Sequence, residues 1–430
     1  MCNNNILLTQ FEELRNKIKT IDITYPSTGI QHIYVSLLNN KSNCLICNSD
    51  KVVIHGYSKR KIVHSYSYNI KTYIIFNQTR FKCKLCNKTF FEYDPFTSIY
   101  NGISKLTVLN VLDYLKELNH TFTDAAKQFN LSNTMITRIF DDHVQPKKLK
   151  LSKILCIDEV YTRVNSKQLY STVLLDFNTS TIIDVLPSRL KGYLNDYFEH
   201  LGVLELDSVE LVIMDMWATY RDVVHRTMPK AKIAVDPFHV LSNITIILNR
   251  RRLSVANMYK NNLDVNFTND YYYLLRDFGF IIQNNYQHIT KNLIYIRKYK
   301  FNLRKKELLE HLLKVDLKLR NLYHLKEKMI IFYDTTTDIN ATSNLDEIII
   351  ETSNSEYSEV RSYSRMLINW RQEIINSFQK IKGFKYHNGK IERKNRDIKK
   401  LLLLSSGYTN QKRLRARIMY SINKDTAITI

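Results

Sequence analysis

The sequence predicts a multidomain α/β protein, and three observations lead to it. Short apolar runs that close on an acid alternate with helical periodicity between residues 151 and 240. Two Cys-x-x-Cys pairs and a basic, strand-patterned stretch precede that region. Long leucine stripes without Gly or Pro punctuation follow it. Alternation of strand and helix argues for a sheet flanked by helices, whereas unbroken helical periodicity argues for an all-helical segment.

The chain has 430 residues, 44% of them hydrophobic and 11% aromatic, which is enough to bury several cores. Lys and Arg number 63 against 41 Asp and Glu, a formal charge of +22. An excess spread over many segments points to a polyanionic partner, nucleic acid first and an anionic membrane surface second. No run of about 18 apolar residues and no charged-then-apolar start is present, so a membrane span and a secretory signal are not expected. The reading is a cytoplasmic protein with reduced thiols, whose six cysteines do not form a disulfide framework.

Residues 1–40 read as a polar and helical segment, with a short helical pattern from Leu7 to Ile18. Residues 41–95 form the first module. Cys44, Cys47, Cys83 and Cys86 can place four thiolates around a structural zinc ion. The 35 residues between the pairs exceed the usual ribbon spacing, and alternation such as Lys71-Thr-Tyr-Ile-Ile-Phe76 suggests a β-ribbon grown between the knuckles. His55 or His64 could replace one ligand, while Cys2 and Cys156 have no partner pair. From Lys51 to Lys88 there are nine Lys or Arg and no acid, with tyrosines interleaved. Lys59, Arg60 and Lys61 are the candidates there for neutralising phosphates, and the alternative is a solvated basic face.

Residues 100–145 carry an apolar stripe from Leu106 to Leu118, then Thr123 to Phe140 reads as helix, tight turn at Asn130 to Ser132, and helix. That is a helix-turn-helix pattern. The small Ala126 suits the close crossing, and Asn133, Thr134, Thr137 and Arg138 face outward on the second helix as candidate DNA contacts. Plain helical packing is the alternative.

Residues 151–240 begin with Lys153-Ile-Leu-Cys-Ile-Asp158, continue through strands at Leu169 to Leu175 and Thr181 to Leu186, and reach a helix at Leu190 to Leu201. Leu211-Val-Ile-Met214 then runs into Asp215, and Ala231-Lys-Ile-Ala-Val235 into Asp236. Three strands, helix, strand, helix, strand is the order of an RNase H-like mixed five-stranded core. In that topology the first and fourth strands are neighbours, so Asp158 and Asp215 project from one edge. A carboxylate at the end of a buried strand is costly unless it is paired or bound to a cation.

Residues 241–378 read as an all-helical insertion, with one long helix from Phe301 to Phe332 and a polar loop from Asp334 to Ser355. Residues 379–430 hold a last core helix and a basic tail. Asn388 is placed to cap that helix and Glu392 lies in its first turns, close to Asn395, Arg396 and Lys399 at helical spacing. From Lys380 to Arg417 there are thirteen Lys or Arg and two acids. Glu392 is either an intrahelical partner of Arg396 or the third member of an acid trio. Three such acids suit Mg2+ or Mn2+, and two ions of that kind clamp a phosphodiester for in-line displacement.

Ile157-Asp-Glu159, Met214-Asp-Met-Trp217, Asp236-Pro-Phe-His-Val240 and Asn388-Gly-Lys-Ile-Glu-Arg-Lys-Asn395 with Ile398-Lys399 occur in order behind the knuckles and the helix-turn-helix. This set resembles the ISL-three family of bacterial insertion-sequence transposases. The resemblance implies a DDE triad of Asp158, Asp215 and Glu392 on an RNase H-like core. It also implies strand cleavage and transfer dependent on Mg2+ or Mn2+. Double-stranded DNA ending in inverted repeats would be recognised by the N-terminal modules. Arg393, Arg396 and Lys399 are the basic residues of that last helix assigned to DNA, and a homodimer joining two element ends in the nucleoid is expected. The chain departs from the family pattern at Arg393 and Pro237. Among the nearby acids Glu159, Asp176, Asp184 and Asp236, the last reads as a packing or supporting residue beside His239. Rival readings are a DNA-binding regulator without catalysis and a structure-selective nuclease.

Overall fold

The computed structural model describes residues 14, 16–38, 43–64, 70–164, 169–261, 268–286, 293–381, 384–386 and 388–423. It divides into two compact units, one of residues 1–147, 162–167 and 397–430, the other of residues 148–161 and 168–396.

In the first unit, alternation builds a mixed sheet from β1 (Ile18–Ser27), β2 (Ile30–Leu37), β3 (Val52–Val63), β4 (Lys71–Cys83) and β5 (Thr89–Phe91), in the order β1-β2-β4-β3 with β5 on β4. The first two strands replace the helical and polar segment expected for residues 1–40. Cys2 and most of the Leu7 to Ile18 pattern lie outside the described residues, and Ile18 opens a strand. Gly29, at φ 78°, makes the tight β1–β2 turn that a side chain would strain. Ile33, Val35, Ile62, Ile74 and Phe76 bury one face together with Phe96. The ribbon expected between the cysteine pairs is the antiparallel β3–β4 pair, whose register opposes Val52 to Cys83. That register brings the first pair, just before β3, to the second pair at the end of β4, and so accounts for the long spacing.

Three helices follow. Ser104 caps α1 (Lys105–Lys116), accepting from the Thr107 N–H. Thr121 and Asp124 form a reciprocal capping box on α2 (Phe122–Phe129). Asn130 ends α2 in the left-handed region at φ 53°, and Ser132 caps α3 (Asn133–His143). The fully buried small residue of α2 is Ala125; Ala126, expected there, is partly buried. The helix Gln411–Ile422 completes this core, where the sequence suggested a basic tail. Ala416 and Tyr420 pack with Val111, Leu112 and Phe140, and the Tyr420 hydroxyl donates to the Leu112 carbonyl at 3.0 Å. The buried Arg417 donates to the Glu117 and His120 carbonyls beyond the end of α1.

In the second unit, β6 (Ile154–Tyr161), β7 (Tyr170–Asp176) and β8 (Ile182–Leu186) form an antiparallel meander. Helices α4 (Lys191–Glu199) and α5 (Val203–Asp207) lead to β9 (Leu211–Met214), then α6 (Ala218–Thr227), β10 (Lys232–Val235) and α7 (Pro237–Asn261). The sheet order is β10-β9-β6-β7-β8, with β9 parallel to both β6 and β10. All four residues of β9 are buried, as a strand covered on both faces must be.

The segment 241–378 is mostly but not wholly helical. After α8 (Thr268–Asp277) and α9 (Gly279–Gln283) comes a hairpin of β11 (Leu293–Ile296) and β12 (Phe301–Arg304). The single helix expected from Phe301 to Phe332 is β12, α10 (Lys305–Lys314) and α11 (Leu317–Thr335). Asp316 makes the break: its Oδ1 accepts from the Leu319 N–H at 2.7 Å and its carboxylate pairs with Arg251. The expected polar loop contains α12 (Ala341–Ser353), which buries Ala341, Leu345, Ile348 and Thr352 on one stripe. Helices α13 (Ser358–Asn369) and α14 (Arg371–Asn376), a short pairing of β13 (Lys380–Ile381) with β14 (Phe384–Lys385), and α15 (Gly389–Leu404) complete the order. A single apolar cluster runs from Leu151 to Phe378, so this segment shares the core of the sheet. Among the described residues no helix is long and apolar enough to cross a membrane.

Leu112 is fully buried at the junction of α1, α3 and the helix 411–422. Leu112→Ala should cost about 2–5 kcal/mol. Hydrogen exchange should show protection lost across α1–α3 and 411–422, and kept in β6–β10.

Candidate metal centres and nucleic-acid surface

Both cysteine knuckles fold the same way. Cys44-Leu-Ile-Cys47 is closed by Asn48 at φ 55° and Cys83-Lys-Leu-Cys86 by Asn87 at φ 57°, a left-handed step that Asn tolerates. The Leu85 and Cys86 N–H groups donate to Cys83 Sγ at 3.3 and 3.5 Å. Cys44 and Cys86 sulfurs lie 3.6 Å apart, as do those of Cys47 and Cys83, and all four ligand atoms fall within 4.8 Å of one another. Tetrahedral zinc with bonds of about 2.3 Å sets sulfur spacings of about 3.8 Å, so the set fits the ion. The four thiols are free, and the Cys86 N–H foremost pulls Cys83 down to about 6, towards the thiolate a metal takes. Neither histidine joins the group: His55 is exposed on β3, and His64 is buried against Ser104 at 2.9 Å, held near 4 by burial and therefore neutral.

The acid site forms where β9 ends beside the middle of β6, a strand that runs on past Asp158 to Tyr161 where the sequence suggested it would stop. Their parallel register pairs Ile157 with Met214, so the next residues, Asp158 and Asp215, emerge from neighbouring strands. Asp158 is 9% exposed; burial, and after it the charge of Asp215, pushes its carboxyl up to about 7. Its Oδ1 accepts from the Glu159 N–H at 2.7 Å and its Oδ2 from Asn395 Nδ2 at 2.7 Å. Asp215 Oδ1 takes two donors, His239 Nε2 at 2.9 Å and Asn388 Nδ2 at 2.7 Å. The hydrogen bond to Asp215 raises the His239 pKa, favouring the imidazolium. Asp236 ends β10 buried at 5% exposure, raised by that burial, and gathers with Asp215 and His239 so that their ligand atoms lie within 4.8 Å.

Glu392 stands exposed in the first turn of α15 and contributes to the field at Asp236. The tightest group is thus Asp215, Asp236 and His239, with Asp158 in electrostatic range; Glu392 stands apart from that cluster. Sequence reasoning missed the roles of His239, Asn388 and Asn395. Asp236-Pro-Phe-His239 stood out as a cluster, yet nothing in its spacing says that the imidazole reaches Asp215. Asn388, expected as a helix cap, spends its amide on Asp215 instead. The donor set fits a hard divalent cation: carboxylates gathered on neighbouring strands, Asp158 and Asp236 buried and Asp215 partly so, with two buried carboxamide oxygens beside them.

A further cation lies beside the acids. Arg189 pairs with Glu159 at 2.9 Å and lies over the rings of Tyr170 and Trp217, 4.0 and 5.2 Å from their centroids.

Residues 155–418 match the family profile described as a transposase. The chain belongs to the ISL-three family of DDE transposases. No curated protein matches the chain. In this transposase the matched region opens on β6 and closes in the helix 411–422, so it holds all three acids, while the cysteine knuckles and α1–α3 precede it.

The residues expected to meet DNA divide in two. On α3 Asn133, Thr134 and Arg138 are exposed and Thr137 is half-buried; Arg138 makes a long pair with Asp142 at 3.6 Å and lies 5.7 Å from the centroid of the Tyr100 ring. On β3 Lys59 and Lys61 are exposed, Lys61 lying 3.9 Å over the Tyr73 ring. Arg60, which alternation turns to the other face, is committed to Asp94 at 2.7 Å and to the Asn101 carbonyl. It is a brace rather than a free cation. On α15 Arg393, Arg396 and Lys399 are exposed, opposite the buried Ile391, Asn395 and Ile398.

Wild type should carry one zinc per chain by atomic absorption, and Cys83→Ser should carry much less and melt earlier. Asp158 yields a prediction with a sign. A carboxyl raised in the folded state favours folding only while protonated, so its contribution is intact below its unfolded value near pH 4 and is lost as the pH climbs to about 7. In magnesium-free buffer Asp158→Asn should match wild type near pH 4. At pH 8 it should be more stable by on the order of a few kcal/mol, read by thermal melts.

Proposed function

We propose that this transposase cuts and joins DNA through Asp158, Asp215 and Glu392 on an RNase H-like core. The observation that carries the reading is the parallel β6–β9 register, which sets the buried Asp158 and the partly buried Asp215 side by side on neighbouring strands. The sheet order β10-β9-β6-β7-β8, a meander followed by two parallel strands, supports the fold assignment. Asp158, Asp215 and Glu392 would hold Mg2+ or Mn2+, with Asp236 beside them. The bound ions would activate the attacking oxygen and stabilise the departing one.

The protein's own groups do the rest. Carboxylates alone repel a phosphodiester, and the exposed Arg393, Arg396 and Lys399 of α15 offset that repulsion and hold the backbone. His239 keeps Asp215 from turning away when no ion is present. Water attacks phosphorus at an element end and a 3′ hydroxyl leaves. That hydroxyl's oxygen then attacks a target phosphodiester, and the target's own 3′ oxygen leaves. The zinc knuckles with Lys59 and Lys61, and α3 with Asn133, Thr134, Thr137 and Arg138, would read the terminal inverted repeats. Two ends must meet for transfer, so the working form is a homodimer on double-stranded DNA.

The test is cleavage of DNA carrying the element's own ends, with Mg2+ or Mn2+. Wild type should nick at the repeat ends. Asp215→Asn and Glu392→Gln should bind those ends normally and cut at least 1,000-fold more slowly, on the order of the loss when a catalytic group is removed. Binding without cutting by wild type would favour a regulator. Shape-directed cutting without a joined product would favour a nuclease.

A further inference from the structure

Glu392 is carried on a helix whose position the local chain does not set. Asn388 is 173 residues from Asp215 and Asn395 is 237 residues from Asp158. Connectivity over such spans fixes no distance at the ångström scale that metal ligation demands. Two side-chain contacts do so instead. Asn388 Nδ2 donates to Asp215 Oδ1 at 2.7 Å, and Asn395 Nδ2 donates to Asp158 Oδ2 at 2.7 Å, with a longer bond of 3.4 Å to the Glu159 carbonyl. Lys390 adds a third tie, donating to the Phe177 carbonyl at 2.6 Å.

The spacing is that of a device. Asn388 and Asn395 are seven residues apart, two helical turns, and share a face; Glu392 lies four after one and three before the other. The asparagines are 1% and 5% exposed, and Ile391 and Ile398 are buried on the same side. In each amide Oδ1 is buried without a hydrogen-bond partner among the described residues. Leaving a buried carbonyl unmade is costly, and packing alone would be served better by leucine. On Asp215 both donors fall on Oδ1, so Oδ2 accepts no hydrogen bond among the described residues.

We propose that Asn388 and Asn395 are positioning residues for the acid trio: they register the glutamate-bearing helix against both acid-bearing strands and orient the aspartates for a divalent cation. The amides donate to one oxygen of each aspartate, which fixes the carboxylate plane and leaves Asp215 Oδ2 open. Glu392, between the two anchors, is delivered by the same registration. This inference rests on the triad reading given above.

The test uses the full-length protein with manganese alone, following the free-ion signal by electron paramagnetic resonance, and then the cleavage rate at saturating element-end DNA. Asn388→Leu and Asn395→Leu keep side-chain volume and delete the donor. Both should fold, bind manganese about 10- to 100-fold more weakly, and cut more slowly with unchanged affinity for the DNA ends. Wild-type manganese affinity in the folded leucine variants overturns the proposal. Should they fail to fold, Asn388→Ser and Asn395→Ser decide by the same criterion. Asp215→Asn separates the two readings: if it cuts like wild type the triad itself is wrong. If it loses manganese and cutting while the asparagine variants behave as wild type, the positioning role alone is wrong.

Discussion

Two carboxylates side by side on neighbouring parallel strands, one within β6 and one just past β9, impose the constraint around which the second unit is built. Asp158 is nearly sealed from solvent and lies in the field of Asp215, so its charged form is penalised twice, by burial and by like charge. Apart from the N–H of its own neighbour, the donors around the two acids come from other elements. The N–H of Glu159 follows from the strand, His239 from the first turn of α7, Asn388 from the start of α15, and Asn395 from two turns further on. Electrostatics therefore dictates where α7 and α15 begin relative to the sheet, and hydrophobic packing then holds them there.

The helical segment between the second and third acids belongs to that packing. Its apolar residues share a cluster with the strands, and Asn376 at its end donates to the Ile233 carbonyl of β10 at 2.8 Å. An appendage joined by a flexible linker would leave the last helix free to wander. A segment that buries Leu309, Leu322, Leu345 and Trp370 in the core of the sheet instead holds its own helices against the strands, and the two asparagine contacts place the helix of Glu392. Any insertion or deletion there would be felt at the acids as a change of geometry.

Much of this was readable because the relevant signals are short-range. Four residues as apolar as Leu211 to Met214 followed by an acid can hardly be anything but a covered strand end, and the order of such runs gives the sheet. Cysteine pairs declare themselves by spacing. What escaped was decided by contacts distant in sequence. The strands of residues 18–37 owe their form to pairing, β1 with β2 and β2 with the distant β4. Asp316 divides a continuous leucine stripe because Arg251, far back in the chain, supports it. The stretch 341–353 looked polar because its buried stripe is narrow. Asn388 was legible as a cap, the commonest use of asparagine before a helix; only the fold shows the carboxylate that claims its amide.

The helix 411–422 has an implication for synthesis. It closes the core of α1–α3 with Ala416 and Tyr420, and Arg417 satisfies carbonyls at the end of α1. On the ribosome those three helices emerge hundreds of residues before the element that covers Leu112 and Phe140. Until residues 411–422 are made, the nascent chain shows an apolar face that the folded unit covers. Fragments cut short by a frameshift or a premature stop would keep that face, and would be prey to proteases and to aggregation. Completeness of the polypeptide thus becomes a condition for a stable N-terminal half.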